Sequence, residues 1–214
     1  MSNPTAQEQE FLELINRMRT APKAELELLL NPTDLATKQS IDGALAYFKT
    51  NLVTLASQWG KLVAAAPLAW ASELNDSAAA HNQAMIAANL QSHQVSGEQS
   101  LGERVTGAKY NFTRTAENIY AFAGSVLEAE ASLALDWGED NLATPELEAI
   151  DGIQNPTGHR DTLLSSDLRE VGISIAAHKN LSSADVGVPL DFECHQSLQT
   201  LELPNYPRPN PAPN

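Results

Sequence analysis

The sequence predicts an α+β chain in which helices come first and a sheet is completed late. Three capping-box signatures, each opening onto helical apolar spacing or a short helical run, place the helices. Two runs of apolar and small or polar alternation, from Val171 to Ala177 and from Leu190 to His195, place strands near the end. With 214 residues and 43% hydrophobic content, the chain can bury one substantial core. One domain over residues 1–200 and a tail over 201–214 is the expected organisation.

Thr5-Ala6-Gln7-Glu8 fits a capping box, and Phe11, Leu14, Ile15 and Met18 follow at helical spacing, so a first helix should run to just before Pro22. Lys23 to Leu30 adds a short helical segment stopped at Asn31-Pro32, and Asp34 to Gly60 reads as irregular helix and loop with weak periodicity. Pro67 to Trp70 is an extended entry to the clearest helix, which Ser72 can cap and in which Leu74, Ala78, His81, Met85 and Ala88 share a face. Ser100 to Glu103 is a second capping box, opening a short helix that Gly107 should end. Ser125 to Glu128 is a third, opening a helix through Leu133 to Trp137, and Tyr110 to Ala123 between them is extended. The two late alternating runs predict antiparallel strands joined by Lys179 to Asp185. Beyond Leu203 the chain turns proline-rich, which favours an extended linker or a tail that wraps back on the domain.

Lys+Arg 13 against Asp+Glu 27 gives a formal charge of -14, which opposes binding to phosphate backbones or anionic membranes and excludes nucleic acid from the expected partners. Cys194 is the only cysteine, so no internal disulfide forms; its place in an alternating run predicts a small buried hydrophobe. No stretch approaches the roughly 18 apolar residues of a membrane span, and Met1 to Pro4 lacks the basic and apolar regions of a signal peptide. Export would therefore need a removed signal, a longer parent protein or a non-classical route.

Three separated segments each hold one imidazole or carboxylate amid small or polar neighbours: Gln91-Ser92-His93, Thr115-Ala116-Glu117-Asn118-Ile119 and Gly158-His159-Arg160. A site assembled by folding draws its groups from several such breaks in the pattern. His81, inside a helix, is assigned a structural role, and Glu103 is explained by its capping box.

The order of these pieces resembles the CAP superfamily of cysteine-rich secretory proteins, antigen 5 and plant pathogenesis-related proteins. The pieces are Phe11 to Arg19, Pro67 to Trp70, Ala79 to Met85, Glu117-Asn118-Ile119 and Gly158 to Leu164, and the likeness spans about residues 8 to 178. The lack of paired cysteines and the Gly-His-Arg run are similar to the bacterial, SCP-like extracellular branch. The resemblance implies a three-layer α-β-α sandwich with a central antiparallel sheet, and a secreted or surface location. It also implies a cleft with two histidines and two acids, in which the His pair binds a divalent metal in some members. His93 and His159 match the histidines and Glu117 the first acid. For the second, Glu139 comes first and Asp140 next, at the start of a long acidic insertion reaching Asp151 that can be a lid, a partner surface or a loop.

Two neutral imidazoles suit a borderline ion such as zinc, with waters or substrate completing its shell. Glu117 can orient an imidazole through its free N–H or hold a metal-bound water as a base, the first role being favoured; without metal the same groups form a pH-sensitive polar network. Three function classes follow. The first is a module that binds a small ligand, peptide or protein. The second is a metal-assisted hydrolase of peptide or cell-wall substrates, with Glu117 and Glu139 as candidate catalytic acids; a variant using Ser92 or Ser96 beside His93 ranks low. The third is a lipid or sterol carrier, for which the apolar helices give no independent signal. A monomer or weak dimer is expected.

Overall fold

A computed structural model describes residues 3–138, 151–177 and 192–200, the last stretch by its backbone. Twelve elements follow in order: α1 (Ala6–Thr20), α2 (Pro22–Leu30), α3 (Leu35–Tyr47), α4 (Leu52–Trp59), β1 (Ala69–Trp70), α5 (Ser72–Ala88), α6 (Leu101–Gly107), β2 (Arg114–Ala123), α7 (Val126–Leu135), α8 (Gly158–Leu164), β3 (Glu170–Ala177) and β4 (Phe192–Thr200). The chain is α+β. The proline-rich tail, the 179–185 connection and the Cys194 side chain lie outside the described residues.

The reciprocal Thr5–Glu8 capping box opens α1, which buries Phe11, Ile15 and Met18 completely. Arg19 is also fully buried, yet its guanidinium donates to the carbonyls of Ala66, Leu163, Ser165 and Leu168, so the burial leaves no orphaned donor group on it. Desolvation lowers its pKa to about 10.

Residues 34–60, expected to be irregular, form two regular helices. The Asp34 carboxylate accepts from Thr37 N at 2.7 Å, and Asn51 Oδ1 accepts from Val53 N and Thr54 N at 3.0 and 3.3 Å. Few positions mark them, since α3 buries only Thr37 and Ile41, and α4, a helix of eight residues, only Leu55 and Trp59.

Ala71, not Ser72, is the N-cap of α5; the Ser72 hydroxyl turns to its neighbour Glu73. Leu74, Ala78, His81 and Met85 are buried as expected, whereas Ala88 at the last turn is exposed. Asn75 and Asn82 reach across to the carbonyls of Ile173 and Ser174. The helix lies so close to β3 that a Cβ at Gly172 would fall 2.0 Å from the Asn75 nitrogen, which only glycine avoids. Ser100 and Glu103 form a full capping box on α6. At α7 only half of the predicted box forms: Ser125 Oγ accepts from Glu128 N at 3.1 Å, but the Glu128 carboxylate takes Gly124 N instead of the cap's own nitrogen. The helix ends at Leu135, and Trp137 beyond it forms a bridge with Ile153.

The sheet has the order β1-β3-β4-β2. β3 and β4 pair antiparallel as predicted, and β4 pairs antiparallel with β2. A purely antiparallel sheet is nonetheless corrected, because β1 runs parallel to β3 in the register Ala69↔Glu170. The extended Pro67–Leu68 entry delivers it there, fixed by Ala69 N to Arg169 O and Ala71 N to Val171 O. Along β3 the period of two divides the neighbours: Val171 and Ile173 join the core cluster with residues of α1 and α7, while Gly172 and Ser174 meet α5.

Candidate functional site

Edge strand β2 supplies Glu117 and Asn118, whose side chains leave opposite faces of the strand. Glu117 has a side chain only 2% exposed. One oxygen, Oε1, faces Nδ1 of His93 at 3.0 Å, and the other accepts from Arg104 Nη2 of α6 at 2.9 Å. The same Arg104 nitrogen donates to the main-chain oxygen of His93 at 3.1 Å. His93, just past α5, leaves 61% of its side chain exposed. Beneath it, buried His81 places Nδ1 on the Glu98 carboxylate at 2.8 and 2.9 Å and Nε2 3.7 Å from Glu117 Oε1. The structural role expected for His81 is what it has, with a carboxylate that sequence reasoning had not paired to it.

The second imidazole is built the same way. Nδ1 of His159, on the first turn of α8, lies 2.7 Å from Oδ1 of Asp136, a fully buried carboxylate. Asp136 caps α7 in the left-handed region (φ 57), a conformation aspartate tolerates better than most residues. Its other oxygen accepts from Arg160 N at 3.2 Å. The Arg160 guanidinium, itself buried, donates to the carbonyls of Ala134 and Leu135 at 2.7 Å each and to Gln58, with its carbon 5.7 Å from the centre of the Trp59 ring. It thus satisfies the free carbonyls at the end of α7 and complements the negative end of that helix dipole. Desolvation, opposed by Asp136 and Asp161, lowers its pKa. Asn118 joins the halves, since its Nδ2 donates to the His159 carbonyl at 3.1 Å.

A carboxylate can only accept, so Nδ1 of each imidazole carries a proton, and it is Nε2 that holds the lone pair of the neutral ring. The buried acid fixes the ring and its tautomer, which leaves Nε2 as the nitrogen that can bind an ion. Among the described residues no three His, Cys, Asp or Glu side chains group so as to hold a metal. Beside α8 a cavity of about 450 Å³ opens, lined by Gln58, Lys61, Gln154, Thr157, Arg160 and Asp161, among others.

Of the expected site residues, Glu117 meets His93. Glu139 and Asp140 lie outside the described residues, and the acid that His159 uses is Asp136. Glu103 stays in its capping box, its carboxylate on Ser100. Ser92 Oγ is engaged with the main chain of Gln94. Asp136, Glu98 and Arg104 were missed. Only Asp136 carried a signal, as a turn-compatible residue at the end of an apolar helix.

Residues 12–188 match the model of the cysteine-rich secretory protein family, CAP. Among solved structures, the chain is similar to an extracellular protein containing an SCP domain from Bacillus anthracis str. Ames, at 22% identity and a TM-score of 0.42. The match covers 79% of this chain and 45% of that one, so this chain spans less than half of that protein. No curated protein matches it.

Proposed function

Since the chain belongs to the CAP family of cysteine-rich secretory proteins, we propose that it is an extracellular ligand-binding module whose two carboxylate-held histidines take a divalent metal. The observation that carries this reading is the repeated device: His93 on Glu117 and His159 on Asp136, each acid buried and each Nδ1 occupied. Carboxylate–histidine pairs of this kind raise the basicity of the outer nitrogen and fix its direction. Imidazole nitrogens suit a borderline ion such as zinc, which His93 and His159 would hold through Nε2 with water or ligand atoms completing its shell. When bound, such an ion supplies Lewis acidity and lowers the pKa of a coordinated water. The alternation of partners along β3 supports helices on both sides of the sheet, the α-β-α arrangement that the resemblance implies.

A ligand-binding role is favoured over a metal-assisted hydrolase because two imidazoles fall short of the three protein ligands usual in catalytic zinc centres. No serine is bonded to either histidine among the described residues, which leaves a serine hydrolase without support. Calorimetry with zinc on the wild type, His93→Ala and His159→Ala tests the proposal. Weakened binding in both variants is expected, and unchanged heats would overturn it. Chelator-sensitive turnover of peptide or peptidoglycan substrates, lost in His159→Ala, would replace the module with the hydrolase.

A further inference from the structure

We propose that Arg104 is a positioning residue for His93, a clamp that holds both the loop and the ring of that imidazole. The inference rests on the reading of His93 as the outward imidazole of the site and adds a residue that no histidine–acid pattern contains.

Three buried arginines allow a comparison. Arg19 and Arg160 donate chiefly to main-chain carbonyls of neighbouring segments, the use expected of an arginine that cements a core. Arg104 is buried to a similar degree, 8% exposed, but spends its guanidinium otherwise. Among the described residues its Nε and Nη1 have no hydrogen-bond partner, and Nε lies 3.8 Å from Glu98. Among the described residues Nη2 alone makes hydrogen bonds, one to Glu117 Oε2 and one to the His93 carbonyl. An arginine placed for stability would not leave two buried donors unpaired. Both bonds converge instead on the residue whose ring Glu117 holds.

The consequence is geometric. His93 follows α5 in a loop and is largely exposed, so its backbone and its ring would otherwise move independently. The Glu117 bond fixes the ring, the Arg104 bond to the carbonyl fixes the backbone, and the Arg104–Glu117 pair ties the two constraints together. Arg104 itself is set by α6, whose Ser100–Glu103 capping box defines where that helix starts.

Long-range proton–nitrogen spectra of the metal-free protein, with relaxation of the ring carbons, read the tautomer and order of each imidazole directly. In the wild type His93 should show the Nδ1-protonated form with an ordered ring. Arg104→Met should abolish that order at His93 while leaving the His159 ring unchanged, and should weaken zinc binding roughly ten- to hundredfold, the range for residues that orient metal ligands. Should Arg104→Met not fold, Arg104→Gln keeps a polar head without the reach, and the same loss is expected. A folded variant of either kind with wild-type tautomer and order at His93 would overturn the clamp. If the wild type takes up no zinc, the metal reading falls, while the ring spectra still decide the role of Arg104.

Discussion

Replacing Glu130 with methionine should stabilise the protein, increasingly so as pH rises. Glu130 lies on α7 with its side chain fully buried, and neither carboxylate oxygen has a hydrogen-bond partner among the described residues. Burial and, next, the Glu25 carboxylate push its pKa well above the ordinary 4.5, against the opposing pull of Arg17. Arg17 is already committed to Glu25 through two hydrogen bonds. An unsatisfied buried polar group costs about 1–3 kcal/mol, which methionine, unbranched and of similar reach, removes. A folded-state pKa above the unfolded one means that the native protein holds an extra proton between the two values. Stability from this group is therefore full below the unfolded value and is lost as pH rises towards the folded one, at a rate that approaches about 1.4 kcal/mol per pH unit between the two. The gap between Glu130→Met and the wild type should thus widen by about 1 kcal/mol from pH 4.5 to 5.5, as the unfolded carboxyl goes from half to almost fully ionised, a Tm difference of about 2–4 °C for a chain of this size. Urea unfolding across pH 4.5 to 6.5, followed by circular dichroism, measures it. A constant gap, or a variant less stable at every pH, would refute the reasoning.

Asp136→Asn keeps a residue that tolerates the left-handed cap but removes the charge facing His159, so zinc affinity should fall about 10- to 100-fold with little change in fold; calorimetry and circular dichroism separate the two effects. Gly172→Ala places a methyl against the backbone of Asn75, which cannot swing aside, and should cost about 3 kcal/mol or more in urea unfolding. Asn51→Ala removes the cap of α4 and should cost about 1 kcal/mol by the same assay, an effect that an irregular 50–60 segment would not show.

The helices bounded by strong local chemistry were legible: Thr5 to Glu8 and Ser100 to Glu103 announce α1 and α6 because side chain and backbone satisfy one another within four residues. The segment 34–60 was misread because its helices bury few side chains, although Asp34 and Asn51 were standing at their caps. Half of the site was equally readable, since His93, His159 and Glu117 occupy segments without another structural task. Asp136 was hidden by the expectation that α7 continues to Trp137. Glu98 and Arg104 could not be found by pattern, because their roles arise from the packing of α5 and α6 beside β2, contacts no local spacing encodes. The parallel pairing of β1 was invisible for the same reason, as two residues carry no periodicity.

The last described strand takes an interior place in the sheet. Until residues 192–200 have left the ribosome, β2 lacks the neighbour that hydrogen-bonds it over most of its length, and the strand bearing Glu117 and Asn118 has no ladder to hold it. A nascent chain would therefore carry its helices early but its histidine–carboxylate contact at Glu117 unassembled. The contacts of Glu117 and Asn118 with His93 and with the His159 carbonyl therefore form only after residues 192–200 are available to pair with β2, long after the helices themselves.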